Sequence, residues 1–229
     1  MGSDTSLLLA TAVTVGFVHT VLGPDHYLPF IAMSKARNWS YRKTLLITGV
    51  SGIGHVTSSA VLGTLGLIFG VEVLKLTSLE SARGEIAGWL LLGFGVAYMV
   101  WGMRRALKHS SVTHSHDGVA HTHFGPREHT HDPGKANITP WVIFTIFVFG
   151  PCEPLIPLLM YPAARSDVFN VIIVALSFSV VCIGTMMALV YASVRGLEWL
   201  PQRALERYTH ALSGFAIAAC GIGVVFLKL

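Results

Sequence analysis

The chain has 229 residues, of which 52% are hydrophobic and 12% charged, with a formal net charge of +4. A mean hydropathy of +0.61 and repeated apolar runs of spanning length exclude an ordinary soluble domain and point to an all-α polytopic membrane protein. The runs do not alternate with period two, which argues against a β-barrel. The basic residues fall in short loops between spans, so the pI near 9.1 reads as membrane topology rather than nucleic-acid binding.

Six transmembrane helices are expected, at about residues 7–33, 44–69, 86–103, 141–161, 168–194 and 212–227. No basic residue precedes Lys35, so the first apolar segment reads as a retained helix rather than a cleavable signal. It contains GFVHTVLGPDHYLPF, in which Pro24 and Pro29 interrupt an apolar helix carrying His19, Asp25 and His26. An ionisable group at membrane depth costs at least about 2.5 kcal/mol on insertion scales and by default marks a functional site. The second span adds His55 in Gly52-Ile53-Gly54-His55, where small neighbours allow close helix approach. The stretch 70–85, with Lys75, Arg83, Glu72, Glu80 and Glu85, reads as a loop before the third span.

Between the third and fourth spans, residues 108–137 hold seven of the eleven histidines, His109, His114, His116, His121, His123, His129 and His131. The repeated H-x-H units among Gly, Asp and Pro read as a metal-binding tract that is disordered without metal. The fourth span contains VFGPCEPLIP, with Cys152 and Glu153 between prolines. Three cysteines, Cys152, Cys182 and Cys220, lie in apolar segments without C-x-x-C spacing, so they define neither a disulfide framework nor a zinc cluster.

Alternate loops carry twelve and three basic residues, which places the rich set and the histidine tract in the cytoplasm and both termini outside a multi-pass cell-membrane protein. Gly23-Pro24-Asp25-His26 in the first span matches Gly150-Pro151-Cys152-Glu153 in the fourth. With three spans on each side of the loop, residues 1–107 and 138–229 read as two inverted three-helix repeats whose first and fourth helices are proline-broken. A proline inside a helix frees the carbonyl four residues earlier, here those of Thr20 and Phe147 among others. Such backbone is tolerated in a membrane only where protein buries it or a cavity lines it. The paired breaks therefore predict one central site. Its expected metal ligands are Asp25, His26, His55 and Glu153, with His19 and Cys152 as second candidates. Imidazole and carboxylate donors suit a first-row divalent cation.

These features resemble the nickel/cobalt transporter (NicO-type) families of the broader LysE-like transporter group. The resemblance is carried by His19…Asp25-His26 in a broken first helix, Gly54-His55 in the second, and the histidine-rich loop. The family's H-x4-D-H is one residue longer here, as His19-x5-Asp25-His26. The resemblance implies transport of Ni²⁺ or Co²⁺ as substrate, no enzymatic activity and no resident cofactor. It implies the metal and the bilayer as partners and leaves a homo-oligomer open. The Gly150-Pro151-Cys152-Glu153-Pro154 break is instead similar to the proline-flanked cysteine of DsbD-type electron carriers, which gives a thiol/electron carrier as the alternative. A third reading is an exporter of a small anion or organic solute. No G-x-x-x-x-G-K-[ST] sequence is present, so the chain itself is not read as an ATPase.

Overall fold

The computed structural model describes residues 2–108, 112–116, 119–123, 139–165, 167–197 and 206–227. Eight α-helices are described: α1 (Gly2–Leu22), α2 (Leu28–Ala36), α3 (Tyr41–Ile68), α4 (Val73–Lys108), α5 (Thr139–Phe149), α6 (Leu155–Ala164), α7 (Val168–Leu197) and α8 (Thr209–Ile222). A 3₁₀ turn, Pro24–His26, joins α1 to α2, and a π-helical turn, Gly223–Leu227, extends α8. Five of these helical stretches, Asp4–Leu22, Tyr41–Gly66, Val73–Lys108, Val168–Leu197 and Thr209–Leu227, are long and apolar enough to cross a membrane. Large apolar side chains such as Leu22, Leu46, Ile53, Leu176, Val180 and Phe215 are exposed on their outer faces. Lengths and surface together are those of a helical membrane protein.

Two expectations need correction. The segment expected as a proline-broken fourth span, 141–161, is broken at Gly150–Pro151 as expected, but into two helices, α5 and α6, each too short to span alone. Five rather than six helices are therefore of spanning length among the described residues. The third helix begins at Val73 rather than near residue 86, so Glu80, Arg83 and Glu85 are helical and not in a loop. Within the histidine tract, expected to be disordered, 112–116 and 119–123 fall among the described residues. Val112–His116 (β1) and Val119–His123 (β2) pair as an antiparallel hairpin with His114 opposite His121. H-x-H supplies the two-residue period of each strand. His109, His129 and His131 lie outside the described residues.

The broken segments pack alike. The α1–α2 segment lies along α7 in the same direction: Asp4 meets Arg165 just before α7, Gly16 packs on Phe178 and Cys182, and α2 reaches the Val190 end. The α5–α6 segment lies along α3, again in the same direction, with Gly54 against Phe144 and Val148, and Gly63 against Ile156 and Leu159. α3 and α7 run antiparallel, Gly49 beside Met187 and Gly52 beside Ile183. Both breaks are thus brought to the middle of the molecule.

The most extensive contact is between α4 and α8, which run antiparallel. Gly88, Gly95 and Gly102 recur every seventh residue on one face of α4. They meet Val225, Ala218 and Ala211, while Gly214 and Gly221 of α8 meet Met99 and Leu92. A Cβ at Gly95 would strike the backbone of Ala218, and one at Gly214 the backbone of Met99. Close backbone approach through small residues is the usual source of helix adhesion where lipid removes the hydrophobic drive. Gly95→Val should therefore destabilise the protein by about 1–3 kcal/mol through overpacking. Gly93→Ala, with no neighbour within 4 Å of the added carbon, should be neutral or mildly stabilising. Thermal unfolding in detergent compares the two, and equal midpoints would contradict the packing.

Candidate metal centre

At the first break Pro24 has no N–H to continue α1, and the chain makes one 3₁₀ turn before α2. The turn folds the His26 ring back over Gly23, where a Cβ would collide with the imidazole. Nδ1 of His26 lies 3.0 Å from the Gly23 carbonyl oxygen and 3.2 Å from Oδ1 of Asp25. Both partners can only accept, so Nδ1 carries the proton and donates it. Each residue of Gly-Pro-Asp-His then has a part: space, break, orientation and donor atom.

His55 reaches the same place from α3. Its Nδ1 donates to the Phe147 carbonyl at 3.3 Å, an oxygen that Pro151 four residues on cannot bond and that also accepts from the Gly150 amide at 3.0 Å. Gly150 again supplies the room, because a Cβ there would lie 3.1 Å from His55 Nδ1. The two breaks therefore do the same chemical task, each holding one imidazole through Nδ1–H on a carbonyl near a Gly-Pro step.

The consequence is at the other ring nitrogens. Nε2 of His26 and Nε2 of His55 are buried, carry lone pairs and have no hydrogen-bond partner among the described residues. An unsatisfied buried polar atom costs about 1–3 kcal/mol, and native structures seldom hold one without a reason. The two rings are edge to face at 5.1 Å between centroids, and His19 of α1 stands edge to face with His26 at 4.6 Å. One ligand atom from each of His19, His26 and His55 lies within 4.8 Å of the other two. Three nitrogens bound to one ion at roughly 2.0–2.1 Å stand roughly 3–4 Å apart. Closing by about an ångström would make the group a three-imidazole site. Orientation by Nδ1–H on a carbonyl or carboxylate is the usual arrangement behind a metal-bound histidine.

A cavity of about 30 Å³, lined by Asp25, His26, His55, Gly88, Gly150 and Pro151 among others, opens beside the rings. It is of water or bare-ion size. Asp25 is partly exposed and keeps one carboxylate oxygen beyond its bond to His26.

Of the six residues expected from the sequence, His19, His26 and His55 converge, Asp25 orients His26, and Cys152 lies next to His19, Sγ to Nε2 3.9 Å. Glu153 is exposed in the turn before α6 and does not join them. A different carboxylate is central. Glu80 of α4 is fully buried, pairs with Arg83 and accepts from the Ser59 hydroxyl at 3.1 Å and the Cys152 amide at 3.2 Å. Arg83 also donates to Ser58 Oγ at 2.8 Å and to the Val148 carbonyl at 2.9 Å. The pair therefore satisfies backbone on both sides of Gly150–Pro151 and fixes the opened segment that holds His55. The available signal was the Glu80-x-x-Arg83 spacing, which shares a helix face once α4 is extended back to Val73.

Comparison of this chain with protein-family models, with curated proteins and with solved structures gives no match.

Removing one member of a buried ion pair costs about 3–5 kcal/mol because the other charge is left uncompensated. Glu80→Ala should lose that much in thermal unfolding. Glu80→Gln combined with Arg83→Met should recover part of it, since no charge then stays buried alone. A double variant as unstable as the sum of its singles would contradict the bracing role.

Proposed function

We propose that this protein is a membrane transporter of a divalent transition-metal cation, nickel or cobalt foremost, which it binds between the two proline breaks. The observation that carries the proposal is the convergence of two buried, unpartnered Nε2 atoms, each oriented by a carbonyl at a Gly-Pro step. His19, His26 and His55 are the ligands, and Asp25 sets the tautomer of His26. Imidazole nitrogen suits nickel, cobalt, zinc and copper better than sodium, calcium or magnesium.

The packing favours two inverted three-helix repeats. Exchanging the first three spans for the last three turns the α1–α2 contact with α7 into the α5–α6 contact with α3. The same exchange turns the antiparallel pairs α3/α7 and α4/α8 into themselves. In such repeats the substrate sits at the interface of discontinuous helices, and access alternates as one half rocks against the other. If α5–α6 counts as one broken crossing, the crossings number six and both termini share one side. Arg83 is drawn into α4 beside buried Glu80 and leaves the poorly basic loops, which sharpens the charge bias and supports a cytoplasmic histidine tract.

Flux of radiolabelled nickel into proteoliposomes tests the reading. His26→Ala and His55→Ala should each abolish saturable flux, and Asp25→Asn should weaken metal affinity about 10–100-fold by releasing the ligand's orientation. Glu72→Gln, on an exposed turn, should leave flux unchanged. Protons compete with the metal for Nε2, so flux should fall as pH is lowered. Undiminished flux in both histidine variants would overturn the proposed site.

A further inference from the structure

On the side of His19 away from the cavity lie two thiols that the three-histidine site does not use. Cys152 follows Pro151 in the second break, and Cys182 sits midway along α7. Both are buried, at 0% and 1% exposure, in one apolar cluster with Ala12, Val56, Leu155 and Phe178. They are unbonded to each other covalently and share that cluster, Cys182 lying against Gly16 one turn before His19 on α1. Cys152 Sγ is 3.9 Å from Nε2 of His19. Cys182 Sγ donates to the Gly16 carbonyl at 3.5 Å, an oxygen that also accepts from Thr20 Oγ1 at 2.8 Å. Losing the Cys182 proton would therefore leave that carbonyl satisfied.

We propose that Cys152 and Cys182, with His19, form a second cation position of softer character beside the three-histidine site. Two ligand atoms on one tetrahedral ion, with sulfur at about 2.3 Å and nitrogen at about 2.0 Å, stand roughly 3.5 Å apart. The observed 3.9 Å between Cys152 Sγ and His19 Nε2 needs only a few tenths of an ångström of closure. Thiolate donors select thiophilic cations such as Cu⁺, Zn²⁺ and Cd²⁺ over harder ones. Binding at this position releases one proton from each thiol and involves no electron transfer.

The donors form a file. His55 contacts His26, His26 contacts His19, and His19 contacts Cys152, with Cys182 in the same buried cluster. His19 belongs to both positions, so an ion can pass from one to the other without losing all of its ligands. That consequence for transport rests on the function proposed above; the sulfur position itself rests on its own geometry.

The test is Cd²⁺ titration of the full chain in detergent with a phosphine reductant, which keeps the cysteines as thiols. Wild-type protein should develop the ultraviolet thiolate-to-cadmium charge-transfer band. Cys152→Ser and Cys182→Ser should each lose at least half of it, and the double variant all of it. Cys220→Ser and His55→Ala should retain it. X-ray absorption fine structure on wild-type protein should show two sulfur scatterers per bound cadmium, a readout that depends on no variant. A missing band in wild-type protein, a band that survives the double substitution, or a shell of nitrogen and oxygen alone would overturn the sulfur position. Cobalt binding to the double cysteine variant separates the two proposals. Its retention, with cadmium–sulfur binding absent from wild-type protein, would sink the sulfur site and leave the histidine site standing.

Discussion

Two carbonyl oxygens near Gly-Pro steps organise the centre of this molecule. Each accepts a hydrogen bond from Nδ1 of one histidine, and that bond decides which nitrogen carries the proton and where the other lone pair points. In a continuous helix the Phe147 oxygen would accept the N–H four residues on; Pro151 has none, so the oxygen takes the Gly150 amide and the His55 ring instead. Glycine is required beside each ring because a β-carbon at position 23 or 150 would press on the imidazole. The breaks are thus both the defect and its repair, since irregular backbone inside a membrane must find partners within the protein.

Around this centre the chain divides its tasks. α4 and α8 adhere through glycine-lined backbone contact, giving a rigid frame on one side. Glu80 and Arg83, projecting from that frame, tie down the opened chain between Val148 and Cys152. Among the described residues the first break has no Glu–Arg counterpart; its turn is held by the Asp25–His26 contact and by α2, which buries Phe30 and Met33 in the core and accepts a bond from Ser213 of α8 through Ala32. The halves therefore correspond in path while differing in what stabilises them.

Much of the site was legible because its chemistry is written in a few adjacent residues. Gly-Pro-Asp-His announces a polar break in an apolar run, and His55 stands out for the same reason. Glu153 was misleading: alignment of the two breaks sets it opposite His26, but α6 begins two residues later and leaves its side chain at the surface. Glu80 and Arg83 were hidden by hydropathy, which assigns a charged stretch to a loop when only the mutual pairing of the charges lets it stay in a helix. That Cys182 rather than Cys220 shares a buried cluster with Cys152 was not legible, since it depends on how α1 and α7 pack. The glycine spacing of α4 gains its meaning only from the α8 backbone that packs on it.

The central claim is that an ion sits among Nε2 of His26, Nε2 of His55 and the His19 ring. Anomalous scattering from crystals soaked in cobalt or nickel, collected on both sides of the metal's absorption edge, tests it directly. The account predicts an edge-specific peak at bonding distance from all three imidazoles and adjoining the cavity beside Gly150. A peak confined to the histidine-rich loop, or edge-specific density absent between the breaks at saturating metal, would contradict it.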